Sequence, residues 1–329
     1  MRFIDNIQKF GLQYIFKTVK HKIFRVGNHD MSDNIYKQRY YQSLPKERYA
    51  AELSAWYKRA MGKDLHLDKP ELFTEKIQWL KLYDSTPLKT LCADKYLAPK
   101  WAEEQCRKNN RGGVSVVPIL GVWDKAADID FDSLPEKFVL KCNHGSGMNI
   151  VVKDKSKLNL PKTRRRLDGW LKVDYAHIGD AFELHYSAIP RKIIAEQFIE
   201  EMDGNLHDYK IYCFNGEPKF IQVIGDRNLE KHTGFNMVYD TNWKKTMQLV
   251  AINYPPYEND IPCPTVLPQL LEVAKCLSEP FCHVRVDLYV IHDKVYFSEM
   301  TFTPFSGIMR FTPPSADKML GDLLELPKS

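Results

Sequence analysis

An α+β fold is the expectation, and three stretches predict it. The front of the chain repeats apolar residues at helical offsets, the middle carries an apolar run interrupted by a glycine turn at Phe138–Lys153, and the last third contains two strand–turn–strand units. With 329 residues the chain can bury a substantial core and divide into two or three structural units. Charged residues at 27% and hydrophobic residues at 44% are an ordinary folded composition. The formal net charge of +5 is spread along the chain, which favours a small phosphorylated ligand over a nucleic-acid face.

In chain order, residues 1–26 mix basic and apolar residues at helical spacing. They read either as a helix packed on the protein or a partner, or as one lying on a membrane surface. No run is long enough to span a bilayer, and no secretory signal is recognisable. Helical patches follow at Tyr36–Tyr41 and Glu47–Met61, then at Glu71–Tyr83, where Phe73, Ile77, Leu80 and Tyr83 share a face. Nothing catalytic is apparent in this front section. A helix from Asp94-Lys95 through Glu104 and a strand-like run at Val116–Leu120 lead to the central strand at Phe138. The seven cysteines show no CxxC pair, so reduced, packed thiols and a cytoplasmic setting are expected.

The stretch FVLKCNHGSGMNIVVK reads as strand, glycine turn, strand. His144-Gly145-Ser146-Gly147 could be only a hairpin turn. With Lys141 beside it, the same loop could bring backbone amides and a point charge to phosphate oxygen. It does not match the usual phosphate-loop or dinucleotide patterns. Beyond it, Lys157–Trp170 carries Arg164-Arg165-Arg166, either a solvated helix face or a clamp for an acidic ligand.

Ile193–Ile199 is strand-compatible, and Tyr209–Phe214 turns at Asn215-Gly216 into Pro218–Ile224 as a hairpin. Asp208 and Lys210 alternate onto one face there, as a charge pair or as ligand contacts. Met237–Tyr239 and Thr241–Leu249 continue the β pattern, and Thr265–Leu277 is helical. In VRVDLYV, Arg285 and Asp287 share a strand face, as do Glu299 and Thr301 in YFSEMTF. If those strands are neighbours, Asp287 and Glu299 can hold Mg²⁺ between them, with Arg285 beside a bound triphosphate. The plainer reading is a pair of acids on a solvated sheet.

Together, FTEKIQWLKLYD, ADKY, KFVLKCNHGSG, IAEQFI, DYKIYCFNGEPKF, VRVDLYV and YFSEMTFTPFSG resemble, in that order over residues 73–307, the ATP-grasp superfamily. The nearer likeness is to its polysaccharide-biosynthesis branch, typified by teichuronopeptide synthesis proteins. The resemblance implies an ATP-grasp fold with a helical N-terminal extension, binding ATP and Mg²⁺. It implies phosphate contacts from Lys95 and Lys141, a phosphate lid at His144, Gly145, Ser146 and Gly147, and an adenine site at Glu196, Gln197, Phe198 and Ile199. Asp208 falls at the ribose-side position, and Lys210 at phosphate or acceptor. Lys141, Lys210 and Arg285 become the catalytic cations, and Asp287, Glu299 and Thr301 the metal ligands. Thr301 departs from the family's usual asparagine there, which weakens a second magnesium position.

The implied organisation is a helical region at 1–90, a small α/β unit at 91–135, a lid subdomain at 136–200 and a metal-binding subdomain at 201–329. The implied activity is ATP-dependent carboxylate–amine ligation through an acylphosphate. A uronic-acid glycan or its precursor would be the carboxylate, an amino acid or short acidic peptide the amine, and nucleic acid no partner. The Thr301–Gly307 loop would line the acceptor pocket, and residues 1–26 would dock on a membrane's inner face or on polysaccharide-assembly proteins. The alternatives are a sugar or small-metabolite kinase, a glycosyltransferase using a sugar nucleotide, and a non-catalytic assembly scaffold.

Overall fold

A computed structural model describes Lys9 and residues 35–109, 113–178, 182–200, 206–228, 233–250, 254–257 and 260–327. Apart from Lys9, the expected docking helix at 1–26 lies outside them. The fold is the expected α+β arrangement, with a helical region ahead of two sheets.

Helices α1 (Ile35–Ser43), α2 (Tyr49–Met61), α3 (Phe73–Tyr83), α4 (Pro87–Ala93) and α5 (Ala98–Lys108) come first. A four-stranded sheet has the order β2 (Ile119–Trp123), β5 (Ile193–Gln197), β3 (Phe138–Cys142), β4 (Asn149–Val152). Helix α6 (Leu160–Leu171) lies between β4 and β5 in sequence. A six-stranded sheet has the order β1 (Ser115–Val116), β11 (Lys294–Thr301), β10 (His283–Ile291), β6 (Asp208–Phe214), β7 (Glu217–Asn228), β8 (Thr233–Asp240). Helices α7 (Leu267–Ser278) and α8 (Ala316–Leu323) complete the chain, with a small pairing of β9 (Gln248–Leu249) and β12 (Phe311–Thr312).

Strand alternation gives each sheet one packed face and one face free for chemistry. In the four-stranded sheet, Phe138, Leu140, Ile193 and Ala195 are buried against Leu167 and Trp170 of α6. In the six-stranded sheet, Ile211, Val223, Val284, Val286 and Leu288 pack with Ala102 and Cys106 of α5 and Leu270 and Val273 of α7. Its opposite face is sealed near one end by Phe73, Ile77 and Leu80 of α3 against Tyr212, Phe214 and Phe220. The rest of that face stays polar.

Two expectations change. The run Val116–Leu120 is broken at Pro118, which has no N–H for a ladder. β1 therefore pairs with β11 in one sheet and β2 with β5 in the other, so residues 91–135 are shared between the sheets. Thr241–Met247 is largely a turn, because the Asp240 carboxylate accepts from the N–H groups of Asn242 and Lys244, 2.9 Å each. The hairpin turns follow their sequences, with positive φ at Asn215 and Gly216 and again at His292 and Asp293. All seven cysteines are free.

Candidate active site

The unsealed part of the six-stranded sheet carries a row of polar residues in direct cross-strand register. Glu299 on β11 opposes Asp287 on β10, Asp287 opposes Lys210 on β6, and Lys210 opposes Gln222 on β7. One step along, Thr301 opposes Arg285. The Arg285 Nε and Nη2 donate to Asp287 at 2.7 and 2.8 Å, and Nη2 reaches the Thr301 hydroxyl at 3.0 Å and Glu299 at 3.4 Å. Lys210 donates to the same Asp287 at 2.5 Å, with Asp208 3.7 Å away. Asp287 is 2% exposed and Arg285 7%, so these charges are stable only as partners.

The four-stranded sheet faces this row with Lys141, whose ammonium donates to Glu196. Lys95 bridges the two sheets: its Nζ donates to the Gly145 carbonyl at 2.8 Å and lies 3.5 Å from Glu299. Asn143 fixes that arrangement. Its side chain bonds Asp94 and the Pro190 carbonyl and accepts from Lys192 N–H, while its own carbonyl takes the Lys95 N–H at 3.1 Å. Burial disfavours ionisation of Glu299, yet Lys95, Lys210, Arg285 and Lys141 outweigh it and hold the carboxyl well below the usual range.

Two cavities meet along this row. The first, about 300 Å³, is lined by Lys95, Lys141, Ser146, Gly147, Glu196, Gln197, Phe198, Ile199, Lys210 and Glu299. The second, about 420 Å³, is lined by Asp208, Arg285 and Thr301 and by residues of three turns, among them Tyr175, Glu183, Tyr186 and Ser306. Ser146, Lys210 and Glu299 line both. Cations at the junction of the two cavities suit a reaction in which phosphate charge moves between two bound molecules.

Most residues singled out in the sequence converge here, with three differences. His144 lines neither cavity; it is 1% exposed, with Nε2 3.3 Å from the Trp170 carbonyl. Burial, and then the charge of Arg191, push its pKa down to about 4. Asp208 lines the second cavity rather than the first. Arg164 is no solvated charge: it donates to the carbonyls of Ala126, Ala127 and Ile129 and lies over Phe131. Gly145 is required where it stands, since a Cβ would lie 2.4 Å from Tyr175 Cδ2 and 2.5 Å from Met148 Cε.

Glu183 and Gln222 are not singled out by the sequence, nor are the α3 residues Gln78 and Lys81, and Tyr175 and Tyr186 are aromatics equally expected from packing. The Gln78 amide donates to the Ser306 and Gly307 carbonyls, and Lys81 to Ser306 O at 2.5 Å.

No group of three or more His, Cys, Asp or Glu side chains among the described residues could hold a metal alone. The donor set nevertheless fits Mg²⁺. Asp287 and Glu299 are directly opposed carboxylates with the Thr301 hydroxyl adjacent, a partial hard-oxygen shell of the kind phosphate and water complete.

Residues 75–325 match the family model described as TupA-like ATPgrasp. No curated protein matches the chain. Among solved structures, D-alanine–D-alanine ligase from Helicobacter pylori aligns at 17% identity over 77% of this chain and 69% of that one, with a TM-score of 0.43. The Bacillus anthracis enzyme of the same name aligns at 18% identity over 68% of this chain, with a TM-score of 0.38. The chain spans only 59% of the length of that second enzyme. At these values the structural likeness carries no weight for function.

Proposed function

The chain belongs to the TupA-like ATP-grasp family, and from that premise we propose that it is an ATP-dependent carboxylate–amine ligase. The observation that carries this reading is the junction of the two cavities, where Lys210, Glu299 and the Ser146 loop border both chambers. A nucleotide in the first chamber would direct its γ-phosphate at a carboxylate in the second.

In this reading Glu196–Ile199 take the base, and Lys95 and Lys141 the phosphates. Lys210 and Arg285, both bonded to Asp287, exchange part of that contact for the transferring phosphoryl group. A carboxylate oxygen bonds to the γ-phosphorus as the bond to ADP breaks. The amine nitrogen then attacks the acylphosphate carbon, phosphate leaves, and the nitrogen loses a proton to give the amide. The chain's part is to align the reactants and neutralise developing charge; no covalent side-chain nucleophile is needed. Asp287, Glu299 and Thr301 would hold Mg²⁺, which supplies Lewis-acid stabilisation of phosphate oxygens.

A uronic-acid-containing surface polysaccharide or its precursor is the proposed carboxylate, and an amino acid or short acidic peptide the amine. The support is the family's association and a second chamber rich in hydroxyl, amide and aromatic groups. A cytoplasmic setting, at the membrane's inner face, belongs to the same proposal. No described helix is long and apolar enough to cross a membrane.

Purified protein incubated with Mg-ATP, uronic-acid glycans and amino acids should release ADP and phosphate with a product of amide mass, and Glu299→Ala should abolish it. A phosphorylated product would replace the ligase with a kinase. Turnover of a sugar nucleotide without ATP cleavage would indicate a glycosyltransferase, and nucleotide binding without any product a scaffold.

A further inference from the structure

The second chamber contains two anomalies of one kind. Gln222 Nε2 and Thr303 Oγ1 are both buried, both belong to residues lining the cavity, and neither has a hydrogen-bond partner. Buried polar atoms rarely go unsatisfied unless a ligand or water completes them. The turn that carries Thr303 is also strained. Phe305 and Ser306 adopt left-handed φ values of 50° and 55°, followed by Gly307 at 71°. Two successive non-glycine residues in the left-handed region persist only when surroundings enforce them, and such departures cluster at ligand sites.

Here the enforcement is visible. Gln78 and Lys81 reach from α3 to the Ser306 and Gly307 carbonyls, and Lys81 Nζ also donates to Gln78 Oε1 at 2.9 Å. Lys81 is 1% exposed and its ammonium lies 4.6 Å from the Trp56 ring centre. A Cβ on Gly307 would meet Gln78 Nε2 at 2.3 Å, so the turn is seated against α3 with no slack. Held this way, the Ser306 hydroxyl donates to Glu183 Oε1 at the cavity wall. Glu183 is 8% exposed and lines the chamber. A carboxylate accepts only, so a ligand group that meets it there is a donor.

Resting on the reading of this chamber as the carboxylate substrate's site, we propose that Glu183 binds a hydrogen-bond-donating group on the tail of that substrate. The turn Thr303–Gly307, buttressed by Gln78 and Lys81, is the positioning device. The substrate's carboxylate lies toward Arg285 and Lys210, and its tail lies among Glu183, Gln222 and Thr303, with Tyr175 and Tyr186 as flanking surfaces. The donor group is a sugar hydroxyl or an ammonium, and these two sources are separable by experiment.

The test uses the full chain saturated with Mg-AMP-PNP. Binding of D-glucuronic acid in one arm and L-glutamic acid in the other is measured by saturation-transfer NMR and calorimetry. One arm should bind, with its Kd raised about tenfold or more in Glu183→Gln, about what one hydrogen bond to a charged group contributes. Ser306→Ala should weaken it severalfold, and AMP-PNP affinity should stay unchanged in both variants, which also reports that they fold. Binding only in the glutamic-acid arm, lost when its nitrogen is acetylated, identifies the ammonium; binding only in the glucuronic-acid arm identifies the hydroxyl. Equal binding by Glu183→Gln and wild type overturns the proposal, as does failure of both acids to bind the nucleotide-loaded wild type. Glu183-dependent binding without any amide product would leave this assignment standing and remove the ligase reading instead.

Discussion

The two cavities are neighbours built by different means. The first is walled chiefly by strands, so its charged residues sit at alternate positions and register fixes which of them meet. The second shares the strand floor but draws its outer wall from turns at Tyr175–His177, Leu184–Tyr186 and Pro304–Gly307. A sheet can hold a constant chemical requirement through spacing alone. A wall of turns can vary its substrate while the floor stays the same, which is the usual division between scaffold and specificity.

The largest expected effect erases the distinction. Asp287→Ala leaves the buried Arg285, and Lys210 beside it, without their shared partner, and breaking such a buried pair costs about 3–5 kcal/mol. Urea unfolding should show that loss, and release of both ADP, from the first half-reaction, and phosphate, from the second, should vanish. If stability were unchanged, the shared floor would not be the joint proposed here. Lys95→Met should separate the chambers. Removing one preorganised donor to phosphate should lower kcat by about 10²–10³-fold while binding of the carboxylate substrate, measured without nucleotide, is retained. A comparable loss of substrate binding would mean that the Lys95–Gly145 contact organises both sides.

Gly145→Ala probes the lid from the opposite direction. Its methyl would press on Tyr175, a wall of the second chamber, so stability should fall by about 1–3 kcal/mol and both nucleotide and acid should bind more weakly. A loss confined to nucleotide would show that the lid yields without disturbing Tyr175. The smallest effect at neutral pH comes from histidines. His144 lies under the lid, His185 packs against Tyr186 and Phe302, and His283 packs against Phe73 and Phe214; burial pushes their pKa values down to about 4, 3 and 3. An unfolded chain takes up those protons near pH 6.5 and the native chain refuses them. Their stability contribution is therefore complete above about pH 6.5 and is lost as pH falls toward 4 and then 3. The urea midpoint should drop steadily between pH 7 and 4.5, and His283→Gln should make that slope shallower.

Legibility in the sequence followed the same division. Arg285, Asp287, Glu299 and Thr301 could be placed on one face from period-two spacing, and the Asn215-Gly216 hairpin from its turn chemistry. Lys95 could be assigned to phosphate only by resemblance, because its place depends on Asn143, nearly fifty residues away in sequence. Glu183 carries no local signal: its neighbours are irregular, and its partner Ser306 lies in another turn. Gln78 and Lys81 looked like ordinary polar positions of an amphipathic helix, since nothing in α3 announces the carbonyls they meet. His144 was misplaced toward phosphate because a histidine beside two glycines looks exposed, whereas Trp170 and the packed sheet enclose it.

The hairpin of β10 and β11 contains one residue more on the β11 side. Phe297 opposes Leu288 and Glu299 opposes Asp287, so Ser298 has no counterpart. Strict alternation would have put Phe297 on the same side as Glu299, yet it lies in the helical core with Val295 and Met300. The surplus residue shifts the phase between the turn half of the hairpin and its reactive half. Removing Ser298 would restore regular alternation with Phe297 still inward and Glu299 still opposite Asp287. Ser298 is therefore a position where the chain could lose a residue in evolution without trading core for chemistry, whereas a deletion at Met300 would turn Thr301 inward.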